Sequence, residues 1–149
     1  MEPAKAQAKF NIRPANLEDI PFIFSSWLKS YRDAPAVRSV PNTIYYAQHH
    51  KIIEQIFSSK GLRVFIACDQ EESSQIFSYV VGEVTPDGVT IHFIYSKFPF
   101  RNFGIATALE KHLTDLNPGQ VQFSHAGKNH DRLIKNRKYV YNPYLVWSK

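Results

Sequence analysis

The hydrophobic positions of this chain change period several times, and each change marks an element. Phe10-Asn11-Ile12-Arg13-Pro14 alternates apolar and polar and stops at a proline, which predicts a short first strand. Asn16, followed by Leu17-Glu18-Asp19, predicts a helix start, with Asn16 as N-cap and acidic residues at the positive end of the helix dipole. Ile20, Ile23, Phe24, Trp27 and Leu28 then keep helical spacing through Tyr31. Arg32 to Asn42 contains Pro35 and Pro41 and predicts a loop. Thr43 is the candidate cap of a second helix, in which Ala47, His50 or Lys51, Ile53 or Glu54, and Phe57 follow the turns, with Gly61 as its C′ residue.

From Arg63 the period becomes two. Arg63 to Cys68 predicts a mostly apolar strand, Asp69 to Ser74 a polar turn, and Ile76 to Val84 a longer strand. Pro86-Asp87-Gly88 predicts a turn, and Val89 to Tyr95 the next strand. A helix carrying Ile105, Leu109 and Leu113 on one face ends near Asn117-Pro118-Gly119, and Val121 to Ser124 is another strand. Lys128 to Asn136 predicts a short helix. Tyr139 to Trp147 reads either as strand, turn and strand, or as one strand broken at Pro143. Strand, two helices, three consecutive strands, helix, strand, short helix and terminal strand make an α+β sheet of mixed strand directions.

The stretch from Ile91 to Leu109 carries the most chemistry. A strand ends at Pro99, an Arg101/Gly104 loop follows, and a helix begins with small residues. The first amides of a helix lack intrahelical partners and sit at the positive end of its dipole, so this arrangement suits a diphosphate. Gly104 lets a ligand approach the backbone closely, and Ala106 is nearly as small. An ordinary strand–turn–helix unit, with Gly104 relieving crowding, explains the same residues.

At 149 residues and 44% hydrophobic the chain is large and apolar enough for one globular domain, 10–149, behind a short mobile lead-in at 1–9. No apolar run reaches the roughly 18 residues that span a bilayer, and no signal-peptide segment opens the chain. The single Cys68 excludes an internal disulfide, and a reducing cytoplasm fits it. A net charge of +5 favours anionic partners without choosing among phosphorylated cofactors, nucleic acid and acidic surfaces.

Arg101-Asn102-Phe103-Gly104-Ile105-Ala106 resembles the acyl-CoA signature Arg/Gln-x-x-Gly-x-Gly/Ala of the GNAT superfamily of N-acetyltransferases. Ile12-Arg13-Pro14-Ala15, leading to Asp19-Ile20, is similar to that family's usual opening, and the element order agrees over most of the chain. The resemblance implies a GNAT-like mixed, mostly antiparallel twisted sheet flanked by helices on both faces. It implies acetyl-CoA, or another acyl-CoA, as cofactor, with Arg101, Asn102, Phe103, Gly104, Ile105 and Ala106 on the diphosphate and Phe93, Ile94 and Tyr95 along the pantetheine arm. The implied reaction is direct acyl transfer to an amine acceptor, needing removal of a proton from the ammonium and stabilisation of an oxyanion. Two departures stand out. The loop from Tyr95 to Arg101 is unusually aromatic, and no Gly-Phe follows Asn129. The aromatic-rich motif, small size and basic charge also resemble a bacteriophage branch similar to the DNA-modifying Mom protein, which would act in the host cytoplasm.

Glu83, at a strand end beside the cofactor strand, is a candidate general base or an exposed strand-end carboxylate. His92 has a suitable pKa range, and alternation puts it on the face opposite Ile91 and Phe93; it is a candidate base or a buried structural histidine. Tyr139, ahead of Tyr141 and Tyr144, is the candidate acid that reprotonates the thiolate, or a packing residue. Ser124 and His125 are placed to line the acceptor site, and His49 and His50 lie on a helix that would wall it. The histidines lack partners at ligand spacing, so no metal site is expected. Lys128, His130, Arg132, Lys135, Arg137 and Lys138 run into Tyr139 and Tyr141, a pattern that suits nucleic acid or a solvated helix face. Three functions follow from these readings: an acyl-CoA-dependent N-acyltransferase, a nucleobase-modifying protein, or a non-catalytic binding protein of the same fold. A monomer or homodimer without a membrane partner is expected.

Overall fold

The computed structural model describes residues 9–101, 104–127, 134–135 and 137–147. Six strands form one sheet in sequence order: β1 (Phe10–Pro14), β2 (Leu62–Asp69), β3 (Ile76–Thr85), β4 (Gly88–Ser96), β5 (Gln120–Phe123) and β6 (Val140–Tyr141). β1 to β4 are antiparallel neighbours, whereas β5 pairs parallel with β4 and β6 parallel with β5. The β4–β5 crossover carries α3 (Ile105–Thr114), as a parallel connection requires. Among the described residues, no helix is long and apolar enough to cross a membrane.

Strand alternation sends two sets of side chains to opposite faces. Ile66, Cys68, Tyr79 and Val81 pack under α1 (Ile20–Tyr31) and α2 (Asn42–Phe57) around the fully buried Trp27. Phe65, Ala67, Val80, Val89 and Ile91 pack under α3 against Ile105, Leu109 and Leu113. Helices therefore cover both faces of a mostly antiparallel sheet, as the GNAT-like expectation required.

Asn16 Oδ1 accepts from the Glu18 amide at 3.0 Å and Asp19 Oδ2 from the Asn16 amide at 2.8 Å, closing a capping box on a 3₁₀ turn ahead of α1. Arg13 grips Asp19 with two hydrogen bonds of 2.7 and 3.0 Å, tying β1 to that turn. Burial pushes the Asp19 carboxyl up, but the Arg13 hydrogen bond, the Asn16 amide and the Arg13 charge outweigh it and hold the pKa below its usual value.

Three expectations need correction. α2 begins at Asn42, behind Pro41, one residue before the predicted cap at Thr43. Gly61 is not the helix cap, which is Ser58; it is where the chain passes against Val84, whose amide bonds to the Gly61 carbonyl at 2.9 Å. The last segment is neither two strands nor one long strand. After two residues of β6, Asn142 Oδ1 accepts from the Tyr144 amide at 3.1 Å, and Pro143 opens a helical turn, α4 (Tyr144–Trp147). The predicted helix from Lys128 to Asn136 lies outside the described residues except at 134 and 135.

Candidate active site

The β3–β4 ladder slips by one residue in its middle. Val81 faces Phe93 while Gly82 faces Ile91, so His92 is the extra residue of a bulge. Phe93 stacks on Trp27 of α1 with ring centroids 4.9 Å apart. His92 Nε2 lies 2.8 Å from Glu83 Oε1, and Glu83 Oε2 accepts from Ser59, just beyond α2, at 2.5 Å. Both His92 and Phe93 therefore face the α1/α2 side. The alternation that set His92 opposite Phe93 fails because a bulge breaks the two-residue period.

The structure thus joins the two bases proposed separately from sequence. Their cluster extends further: His92 Nδ1 lies 2.6 Å from Ser124 Oγ, which lies 2.8 Å from His125 Nδ1, and His125 Nε2 lies 2.9 Å from His49 Nε2. His49, His92, Ser124 and His125 are all buried. Burial lowers the His49 pKa to about 4. Burial, with the His49 and His92 charges, lowers that of His125 well below the usual range. Burial likewise pushes Tyr31 up to about 12, with the Tyr141 charge adding to it. His50 points away, exposed beside Glu54.

β4 parts from β5 at the bulge. Their ladder covers only Gly88–Ile91 with Gln120–Phe123, and a bond from the Ser124 amide to the Ile91 carbonyl at 3.1 Å closes it. β3 stays paired with β4 as far as Ser96. The β5-side edge of Phe93, Ile94 and Tyr95 therefore opens into a cleft of about 1050 Å³. The start of α3, from Gly104 to Thr107, forms another wall, with Arg101 beside it and Tyr31, His92 and His125 also lining the cleft. Gly104 has φ 79°, in the left-handed region that favours glycine, and a Cβ there would meet nothing within 4 Å. The Arg101 Nε donates to the Ser96 carbonyl at 3.0 Å, which fixes the loop between strand and helix. Asn102 and Phe103 lie outside the described residues.

Tyr139 is half-buried against the α3-side core and is not part of the cleft wall. Its neighbour Tyr141 stacks on Phe123, which does line the cleft, at 5.3 Å. Of the basic run, Lys128, His130 and Arg132 lie outside the described residues. Within it, Arg137 donates to the buried Glu110 of α3 at 2.7 Å, an ion pair inside the molecule.

No family model matches the sequence, and comparison with curated proteins gives no match. Solved structures do match. A protein of Pyrococcus furiosus assigned as an acetyl transferase superposes with TM-score 0.69 at 18% identity, over 88% of this chain and 93% of that one. YycN of Bacillus subtilis, assigned as an acetyltransferase, gives TM-score 0.65 at 12% identity, over 87% of this chain and 89% of that one. The aminoglycoside N-acetyltransferase AAC(6')-Iy, solved in complex with CoA, gives TM-score 0.51 at 14% identity, over 93% of this chain and 91% of that one. The chain has the fold of the GNAT acetyltransferases.

Proposed function

We propose that this chain is an acyl-CoA-dependent N-acyltransferase, moving an acetyl or other acyl group to a primary amine by direct attack. One observation carries the reading: the edge of β4 beyond Ile91, unpaired among the described residues, and the N-terminus of α3 meet in a single cleft. The free edge at Phe93, Ile94 and Tyr95 suits the amides of a pantetheine arm, which would add to it as a strand does. The first amides of α3, at Gly104, Ile105 and Ala106, suit a diphosphate, and the open space beside Gly104 leaves room for one. Arg101, exposed at the rim, adds a cation. A CoA complex in a protein of the same fold supports the reading.

Acyl-CoA, when bound, supplies the thioester carbon that the amine attacks. The chain's own part is to orient the amine and remove its proton. Glu83 and His92 form the base unit, the carboxylate holding the imidazole in place and stabilising the imidazolium once it forms. Tyr139, the candidate acid for the thiolate, lies on the α3 side and outside the cleft wall, so it carries no step of this reading. Arg137 is engaged with Glu110, and the neighbours described above are acetyltransferases, so a nucleic-acid acceptor is not part of the proposal.

Calorimetry with acetyl-CoA tests the reading. The wild type binds it. Gly104→Glu, which sets a carboxylate at the diphosphate position and strains a positive φ, weakens binding at least tenfold, about 1.4 kcal/mol. A wild type that ignores acetyl-CoA contradicts the proposal.

A further inference from the structure

Ser59, Glu83, His92, Ser124, His125 and His49 form one unbroken series of hydrogen bonds, each between 2.5 and 2.9 Å. It runs from the cleft wall at His125 to Glu83, whose side chain is 16% exposed. Counting protons leaves little freedom in it. Ser59 donates to one Glu83 oxygen, so the ionised carboxylate takes the His92 Nε2–H on the other. A neutral His92 then has a bare Nδ1, which accepts from the Ser124 hydroxyl. The Ser124 oxygen accepts in turn from His125 Nδ1–H, and the bare His125 Nε2 accepts from His49 Nε2–H. One added proton, carried on His49 Nδ1, reverses every bond beyond His92: His92 Nδ1–H donates to Ser124, Ser124 to His125 Nδ1, and His125 Nε2–H to the now bare His49 Nε2.

We propose that this series is a proton relay that carries the proton lost by the acceptor ammonium from the His49–His125 pair, of which His125 lines the cleft, to His92 beside Glu83. The proposal rests on the acyltransferase reading. The ammonium N–H bond breaks and its electron pair stays on nitrogen, ready to attack. His49 Nδ1 gains that proton, His49 passes its Nε2–H to His125 Nε2, and His125 passes its Nδ1–H to Ser124; Ser124 passes its own to His92 Nδ1. The positive charge ends on His92, against the Glu83 carboxylate, and leaves through that carboxylate to water. Ser124, Ser59 and His49 are positioning and relay residues, since they act through the rings beside them. Titratable groups around the relay among the described residues include Tyr31 of α1 and Tyr45 of α2, both packed on His49, with Tyr141 of β6 close to Tyr31. The bland alternative is a static polar cluster that holds β5 against α2.

NMR of the ¹⁵N-labelled histidine rings separates the two on the wild type alone. At neutral pH the relay requires His92 protonated at Nε2, His125 at Nδ1 and His49 at Nε2. On acidification His92 gains its Nδ1 proton as His125 switches to Nε2–H, with one shared midpoint. A neutral His92 beside an Nε2-protonated His125, or separate midpoints for the two rings, overturns the relay. Ser124→Ala removes the shared switch. In turnover with acetyl-CoA and the best of a panel of primary amines, it lowers kcat about a hundredfold at neutral pH. It leaves the KM for acetyl-CoA unchanged and moves the pH–rate profile upward, because the amine must then arrive already deprotonated. An equal loss at every pH marks a merely structural serine and overturns the relay. Failure of acetyl-CoA to bind overturns the acyltransferase reading instead, whatever the rings do.

Discussion

At the residue scale the fold depends on a few polar side chains that sequence spacing only partly announced. Asp19 holds Arg13 and also closes the capping box on the 3₁₀ turn ahead of α1. Asp19→Asn keeps the shape but loses the charge, and a loss of about 2 kcal/mol is expected in urea unfolding. An unchanged midpoint would remove the clamp from the description. In the proposed base unit, Glu83→Gln leaves His92 without an anion to stabilise its imidazolium, and kcat is expected to fall by about 10²–10³. A variant with wild-type kcat at neutral pH contradicts the base unit. Glu83 and His92 each stand out in the sequence as candidate bases, and His125 as a residue placed to line the acceptor site. Their association did not, because His49 and His125 are 76 positions apart and meet only through the sheet. His92 lies opposite Ile91, as alternation predicts, but on the same face as Phe93, because a bulge belongs to the register of two strands and one strand's own alternation does not reveal it.

At the element scale, periodicity placed both long helices and β1 to β5 to within a few residues, since each has one face in a core and the other outside it. The C-terminal turn was legible in principle. Asn142-Pro143 is an N-cap and first-turn pair, but the apolar run of aromatic and β-branched residues around it reads as strand. α3 couples packing to the candidate cofactor site. A Cβ on Gly82 of β3 would lie 2.3 Å from Leu113 Cδ2 of α3 and 2.8 Å from the Thr90 carbonyl oxygen, which is backbone. Gly82→Ala therefore pushes α3 off the sheet. It should cost about 1–3 kcal/mol and weaken acetyl-CoA binding, although residue 82 is not in the cleft wall. Destabilisation with unaltered acetyl-CoA affinity would show that the seat of α3 does not position the cleft.

At the scale of the whole molecule, the buried histidines make stability depend on pH. His49 has a folded pKa of about 4 because burial disfavours its charged form, against roughly 6.5 when unfolded. Between those values the unfolded chain binds a proton that the folded chain refuses. Stability is therefore complete above about pH 6.5 and falls as pH drops towards 4, by up to about 1.4 kcal/mol per pH unit from this ring. His125 is lowered in the same direction and adds to the slope. Asp19, with its lowered pKa, contributes above the ordinary aspartate range of about 3.9 and loses that contribution only below it. Urea midpoints compared at about pH 7 and pH 5 should show the fall, and His49→Gln should reduce it. An identical slope in that variant would place the titration elsewhere.

The parting of β4 from β5 beside the start of α3 is the feature from which the functional reading follows, and amide hydrogen exchange with and without acetyl-CoA tests it directly. Acetyl-CoA should slow exchange in two separate segments, around Phe93–Tyr95 and around Gly104–Ala106, while the buried centre of β3 near Val80 stays as it was. Unchanged exchange in both segments, or protection confined to another part of the surface, would contradict it.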